Sequence, residues 1–171
     1  LFIMGTNLGN WLNPEGYMFK FNKTNSPRFI NEMFCQLVGP DFTAEFWKAF
    51  KDNYIIREDI QFIKNTGANT IRLPFHYKLF TDEDFMGLTA GQDGFARVDS
   101  VVEWCREADL YLILDMHDAP GGQTGDNIDD SYGYPWLFES EASQQLYCDI
   151  WRKIADRYKN CLLYASPSPR D

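Results

Sequence analysis

The chain has 171 residues, and 16 lysines and arginines against 25 aspartates and glutamates leave a formal charge of −9. That length supports one domain with a packed core, and a hydrophobic fraction of 44% excludes a disordered chain. An acidic chain without a basic run repels phosphate backbones and anionic lipid, which argues against nucleic acid and membrane surfaces as partners, and no stretch approaches the ~18 uncharged apolar residues of a transmembrane helix.

The chain opens Leu1-Phe2-Ile3, with neither an initiator methionine nor a signal peptide, and reads as a piece of something longer. Leu1 to Leu8 is short and apolar and ends at Gly9, a first strand. Ser26-Pro27 gives an N-cap followed by proline at the first helical position, and Ile30, Met33, Phe34 and Leu37 follow at helical spacing before Gly39. Asp41 to Tyr54 forms a second helix, and Ile56, Ile60 and Ile63 mark a third, stopped by Gly67. Asn69 to Phe75 is a second strand, which Pro74 should cut off because proline cannot donate to a ladder. Residues 76 to 95 form a long loop. Val98, Val101, Val102 and Cys105 place an amphipathic helix over 97–108.

Tyr111 to Met116 is nearly all apolar, the pattern of a parallel strand covered on both faces. His117 to Phe138 is a second long loop, rich in glycine and aspartate. Tyr147, Ile150, Trp151, Ile154 and Tyr158 line a helix, and Cys161 to Tyr164 is a fourth strand candidate. The four cysteines form no Cys-x-x-Cys, and Cys105 and Cys148 are expected to be small buried hydrophobes. Alternating strands and helices make an α/β fold. Both long loops follow the C-terminal ends of strands, where α/β folds place their active sites.

Several chemistries lack their residues. There is no Gly-x-Gly-x-x-Gly, no Walker loop and no Gly-x-Ser-x-Gly elbow. His76 and His117 are the only histidines, too few and wrongly spaced for a metal-dependent barrel hydrolase. The acidic loop Asp126 to Asp130 lacks the glycine and terminal glutamate of an EF-hand and reads as a solvated loop. What remains at the strand ends is suited to sugar. Asn7, Asn10, Trp11, Glu15 and Tyr17 follow the first strand, Arg72 and His76 the second, and Asp115, His117, Gln123, Asp126 and Asn127 the third. Carboxylates, amides, a fixed cation and aromatic rings around one cleft bind hydroxyl groups and stack on pyranose rings. Asp115, in mid-strand, reads as a structural partner rather than a catalytic group.

Three blocks, GTNLGNWLNPEGYMF at 5–19, NTIRLPFHY at 69–77 and LILDMHDAPGGQTGDN at 112–127, together resemble the N-terminal part of glycoside hydrolase family 5, nearest its β-glucanases and exo-β-1,3-glucanases. The resemblance runs from about residue 3 to about 160. It implies a partial (β/α)8 TIM barrel comprising about the first three to four βα units, from a retaining enzyme that hydrolyses β-linked glucans, β-1,3 or β-1,4, without metal or organic cofactor, outside the cell or at its surface. By the same resemblance, Arg72 matches the arginine that holds the nucleophilic glutamate ionised, and His117 the histidine that binds hydroxyls near the scissile bond. Glu15 and Tyr17 match a subsite for the terminal sugar, and Asp126 and Asn127 a polar pair contacting sugar on the third loop. Asp109 stands where relatives often have glycine, closing a helix in the left-handed conformation. Asp118 stands where a small residue is frequent, so the shape of its subsite is expected to differ.

Retaining glycosidases need an acid/base and a nucleophilic carboxyl about 5–5.5 Å apart. The family's Asn-Glu-Pro is missing from this chain, so the 171 residues are expected to be an inactive and aggregation-prone fragment. Residues 161–171 also resemble, with one difference, a translated transposon-type sequencing adapter, and are expected not to be native. Two rival readings are a non-catalytic carbohydrate-binding protein, which would normally be a β-sandwich, and a complete flavodoxin-type domain, which would need a fifth strand and a phosphate loop.

Overall fold

The computed structural model describes residues 2–87 and 92–161, without the side chains of residues 92 and 93. Strand β1 (Gly5–Asn7) is followed by three helices, α1 (Pro27–Val38), α2 (Pro40–Asn53) and α3 (Arg57–Asn65), then β2 (Thr70–His76), α4 (Gln92–Glu107), β3 (Tyr111–Asp118) and α5 (Glu141–Tyr158). The three strands form one parallel sheet in the order β1-β2-β3. Among the described residues no helix is long and apolar enough to cross a membrane.

Helix boundaries follow local chemistry. Ser26 accepts the Phe29 N–H and so caps α1, which starts on Pro27. Ser140 does the same for α5 through Ser143 N–H. Asp109 closes the chain after α4 with φ of 51°, the left-handed conformation its sequence position suggested.

Two strand expectations need correction. β2 continues past Pro74 to His76. Leu8 N–H donates to the Arg72 carbonyl and His76 N–H to the Leu12 carbonyl, so Pro74 lies between these two bonds on the β1 side, beyond the end of β1. The missing N–H falls where no ladder partner waits. β3 is not covered on both faces. Period-two alternation puts Leu112 and Met116 against the helices, whereas Tyr111 and Ile113 face outward, with Ile113 44% exposed. In register with them on that open face stand Gly5 and Asn7 of β1 and Thr70 and Arg72 of β2.

Helix α4 begins five residues before the expected position. Gly94 admits this start, since a Cβ there would sit 2.0 Å from the Leu79 carbonyl oxygen. The core lies between the covered sheet face and the helices: Ile71, Leu73 and Phe75 from β2, Val98, Val101 and Cys105 from α4, Ile150 and Ile154 from α5, and Trp47 from α2. Cys105 is buried as expected, whereas Cys148 is exposed on the outer side of α5. The fourth strand candidate and the tail fall outside the described residues, save Cys161, which is in no strand.

Candidate active-site face

The open sheet face gathers the polar residues. Arg72 donates from Nη2 to Asp115 Oδ2 at 2.5 Å, and its Nη1 lies 3.4 Å from Asn7 Oδ1. His117 Nδ1 lies 3.0 Å from the same Asp115 oxygen and 3.1 Å from Arg72 Nη2. A carboxylate oxygen only accepts, so the two nitrogens converge as donors on Asp115 Oδ2. That assigns the proton to Nδ1 of His117 and leaves Nε2 for a ligand. The hydrogen bond to Asp115 raises the His117 pKa above its ordinary value; burial opposes this, Asp115 and Glu15 charges add to it, and Arg72 opposes. Asp115 thus pairs with both Arg72 and His117, the structural role its mid-strand position suggested.

Glu15 is buried after β1, in a turn fixed by Asn10 Oδ1 accepting the Glu15 N–H. Its carboxylate accepts from the Tyr17 hydroxyl, whose pKa rises chiefly for that reason. Tyr17 keeps an exposed ring. Arg72 and His117 thus meet on Asp115, while Glu15 and Tyr17 form a separate pair whose carboxylate acts on His117 through its charge.

Other expected contacts lie elsewhere. Trp11 is buried and donates Nε1–H to the Lys51 carbonyl, so it is core, not a sugar platform. Gln123 is spent within its own loop, accepting Ala119 N–H and donating to the His117 carbonyl. His76 points behind the sheet, fully buried, between Tyr77 and Phe85. Asp118 turns the same way and accepts from Asn13 Nδ2, away from the face that carries His117.

The acidic loop is solvated only in part: Asp126 is exposed, but the two aspartates that end the run are engaged. Asp129 is buried and accepts the N–H groups of Gln123, Thr124 and Ser131. Asp130 accepts from His76 Nε2 at 3.0 Å and from Arg28 N at 3.0 Å. Burial pushes both carboxyls up, but these hydrogen bonds outweigh it and hold both below the usual range. Charge count alone suggested a solvated run; spacing that lets each carboxylate reach backbone N–H groups was the missed signal.

His76, Asp118 and Asp130 bring one nitrogen and two carboxylate oxygens within 4.8 Å of one another. The chemistry of His76 opposes a metal there. Its Nδ1 accepts the Lys78 N–H, so Nε2 carries the proton given to Asp130. A metal on Nε2 would force a proton onto Nδ1, facing another donor. Burial, with the neighbouring Asp130 charge, raises the Asp118 carboxyl well above its ordinary range, which disfavours the carboxylate a metal would need.

Asp126 and Asn127 line a separate hollow of about 560 Å³ with Arg28, Phe29 and Tyr132. Asp126 Oδ1 accepts the Asn127 N–H. Nothing in the sequence pattern had singled out Arg28 or Tyr132.

The model of the cellulase family (glycosyl hydrolase family 5) matches residues 27–162. A β-xylosidase of Phanerodontia chrysosporium is 29% identical over 168 residues, 98% of this chain and 35% of the relative. Endoglucanase C of Acetivibrio thermocellus is 37% identical over 115 residues, 67% of this chain and 32% of the relative. A glucan 1,3-beta-glucosidase of Kluyveromyces lactis is 32% identical over 132 residues, 72% of this chain and 30% of the relative. The chain spans about a third of the length of these relatives. Among solved structures, the rutinosidase from Aspergillus niger matches with a TM-score of 0.72 at 20% identity, over 92% of this chain and 44% of that one. The parallel sheet and its helices are thus part of a (β/α)8 barrel.

Proposed function

This chain belongs to glycosyl hydrolase family 5, and we propose that residues 1–160 are the N-terminal part of the catalytic barrel of a retaining β-glycosidase acting on β-linked glucans. The observation that carries this reading is the convergence of Arg72 and His117 on one oxygen of Asp115. A fixed guanidinium beside an incoming carboxylate keeps it ionised, as a glycosyl-accepting nucleophile requires. His117, its Nδ1–H committed to Asp115, offers Nε2 to a sugar hydroxyl. Glu15 and Tyr17 hold the terminal sugar, and Asp126 and Asn127 contact the glycan further out.

Double displacement through an oxocarbenium-like transition state needs two carboxyl groups about 5–5.5 Å apart. The sequence contains no Asn-Glu-Pro, and we assign the acid/base and the nucleophile to neither Glu15 nor Asp115. Glu15 is committed to Tyr17 and Asp115 to Arg72 and His117. By this reading the 171 residues bind glucan and do not hydrolyse it, and the parent enzyme works outside the cell or at its surface. The names of the endoglucanase and the glucan 1,3-beta-glucosidase support the substrate class; the β-xylosidase warns that the sugar itself is set by other residues.

Calorimetric titration with laminari- and cello-oligosaccharides, with reducing-sugar release measured on the same samples, tests this. Saturable binding without turnover is expected. Turnover would overturn the assignment of the missing carboxyls, and binding of neither series would overturn the substrate class.

A further inference from the structure

Asn22-Lys23-Thr24 is the one place in the sequence where an asparagine stands two residues before a serine or threonine with a residue other than proline between them. That spacing is the acceptor signal for an N-linked oligosaccharide. The hydroxyl can meet the amide two residues back, and a proline between them would stiffen the bend. Here the signal falls where it can be used. Residues 22–24 lie in no helix or strand, and Asn22 and Lys23 are exposed. Among the described residues neither the Asn22 amide nor the Thr24 hydroxyl is taken by a hydrogen bond.

The segment around Asn22 is a closed loop. Gly16 N–H donates to the Asn25 carbonyl at 3.2 Å and Phe21 N–H to the Gly16 carbonyl at 2.9 Å, so both ends return to Gly16. A Cβ at Gly16 would lie 1.7 Å from the Thr24 carbonyl oxygen, which is why glycine stands there. The ring of Phe21 stacks on Phe19 with centroids 5.5 Å apart, and Phe19 packs in turn on Trp47 and Phe50. Phe21 is thus backed by the core and open to solvent on its outer side. Beside it the apolar stripe of α1 outruns the body of the protein: Ile30 is fully buried, whereas Met33 is 45% and Leu37 74% exposed. Asn22, Phe21, Met33 and Leu37 line one hollow of about 450 Å³. The asparagine therefore stands at the edge of an apolar surface that no described residue covers.

We propose that Asn22 carries an N-linked oligosaccharide whose first N-acetylglucosamine packs over Phe21 and the exposed end of the α1 stripe. The inference rests on the placement of the parent enzyme outside the cell given above, since this modification is made on the secretory route, and it involves no residue assigned to the glucan. In the transfer, Asn22 Nδ2 attacks C1 of the first sugar of an oligosaccharide carried on a polyprenyl diphosphate. The N–C1 bond forms and the C1–O bond breaks. The lipid diphosphate leaves with the electron pair, and one Nδ2 proton passes to a base of the transferase. The tether decides what covers the hollow. A sugar bonded to Asn22 reaches Phe21 and Met33 without the entropic cost of capturing a free partner. Its apolar ring face and acetamido methyl suit an aromatic and aliphatic surface, and a neutral group tolerates Lys20 and Lys23 in the same lining.

The test expresses this chain behind a secretion leader in a eukaryotic host and reads intact mass and gel mobility on whole-cell and secreted material, so that retention inside the secretory route hides nothing. One oligosaccharide is expected, removed by peptide N-glycosidase, with heavy oxygen from labelled water incorporated where Asn22 stood. Asn22→Gln and Thr24→Ala should lose it, and Thr24→Ser should keep it. A chain with its leader cleaved and no sugar at Asn22 overturns the site and leaves the glycosidase reading standing. A glycosylated chain that titrates with neither glucan series overturns that reading and leaves the site. Packing is read separately. The chain trimmed by endoglycosidase to a single N-acetylglucosamine should melt about 2–4 °C above Asn22→Gln, and Phe21→Ala should erase the difference. If Phe21→Ala does not fold, Leu37→Ser, at the exposed end of the stripe, carries the comparison. Equal melting of the trimmed chain and Asn22→Gln overturns the packing over Phe21.

Discussion

Arg72 reaches Asp115 diagonally across the ladder. Its register partner on β3 is Ile113, yet its guanidinium meets the carboxylate two residues further on, Nη2 to Oδ2 at 2.5 Å. The side chain therefore leans towards the C-terminal rim, and His117, two residues beyond Asp115 on the same face, completes the group from the other side. One carboxylate orients both groups assigned to the ligand.

Asp115→Asn should therefore act through His117. The hydrogen bond to Asp115 is the main cause of the raised His117 pKa, so the substitution should bring its titration midpoint down, read from imidazole proton shifts in NMR. The sign for stability follows. A pKa raised by folding contributes fully below the unfolded value of about 6.5 and is lost as pH rises through the folded one. Asp115→Asn should flatten that dependence. An unmoved midpoint would separate His117 from Asp115.

Lys51 is fully buried in α2, donating to the Met86 carbonyl at 2.5 Å between Trp47 and Phe85. Burial, with Arg97 adding and Asp52 opposing, lowers its pKa to about 7. Here the unfolded chain binds the proton more tightly. Stability should rise with pH between about 7 and about 10, by up to about 1.4 kcal/mol per unit, and be flat below 7 as far as this group is concerned. Lys51→Met should remove the slope in denaturant titrations and gain most relative to the parent at pH 7 and below. An unchanged slope would place the dependence elsewhere.

The pair at the rim behaves in opposite ways. Burial raises the Asp118 pKa and so favours its neutral form, which Asp118→Asn mimics. The stability that protonation gives is full below about 3.9 and is lost as pH rises through the raised folded pKa. Asp118→Asn should thus match the parent in acid and exceed it in alkali. Asp130 is ionised and holds His76 and Arg28 N–H, so Asp130→Asn should cost about 1–3 kcal/mol at pH 7. Chemical denaturation of both variants from pH 3 to 9 checks the contrast.

Gly94→Ala tests the early start of α4. Its new Cβ would press on the Leu79 carbonyl, which is backbone and cannot swing aside. Alanine is the better helix former by about 1 kcal/mol, so intrinsic propensity predicts stabilisation. The contact predicts the reverse, a lowered melting temperature, and the sign of the shift decides between them.

Much of this architecture was legible because its causes are local. Ser26-Pro27 capped a helix, Val98 to Cys105 marked an apolar stripe, and strand followed helix in barrel order; neighbouring residues fix such features through backbone geometry and period. Arg72 and His117 were placed by their positions at strand ends, and Asp115 was legible as a structural partner. The errors came where distant segments decide. Pro74 was taken to end β2, but whether a missing N–H matters depends on what faces it. Tyr111 to Met116 looked covered on both faces, since an apolar run does not record which side has a neighbour.

What the sequence by itself determined is the order of elements, the caps, the acidic charge and the residues arriving at each strand end, all set by contacts within a few residues. Tertiary structure alone decided which of those polar groups meet. It turned Arg72 and His117 onto one carboxylate, sent His76 and Asp118 behind the sheet, and brought Arg28 over the ring of Tyr132 from a distant loop. Those outcomes depend on strand register and on loops crossing space, so residues more than forty positions apart share a hydrogen bond, and no local pattern in the chain encodes such a distance.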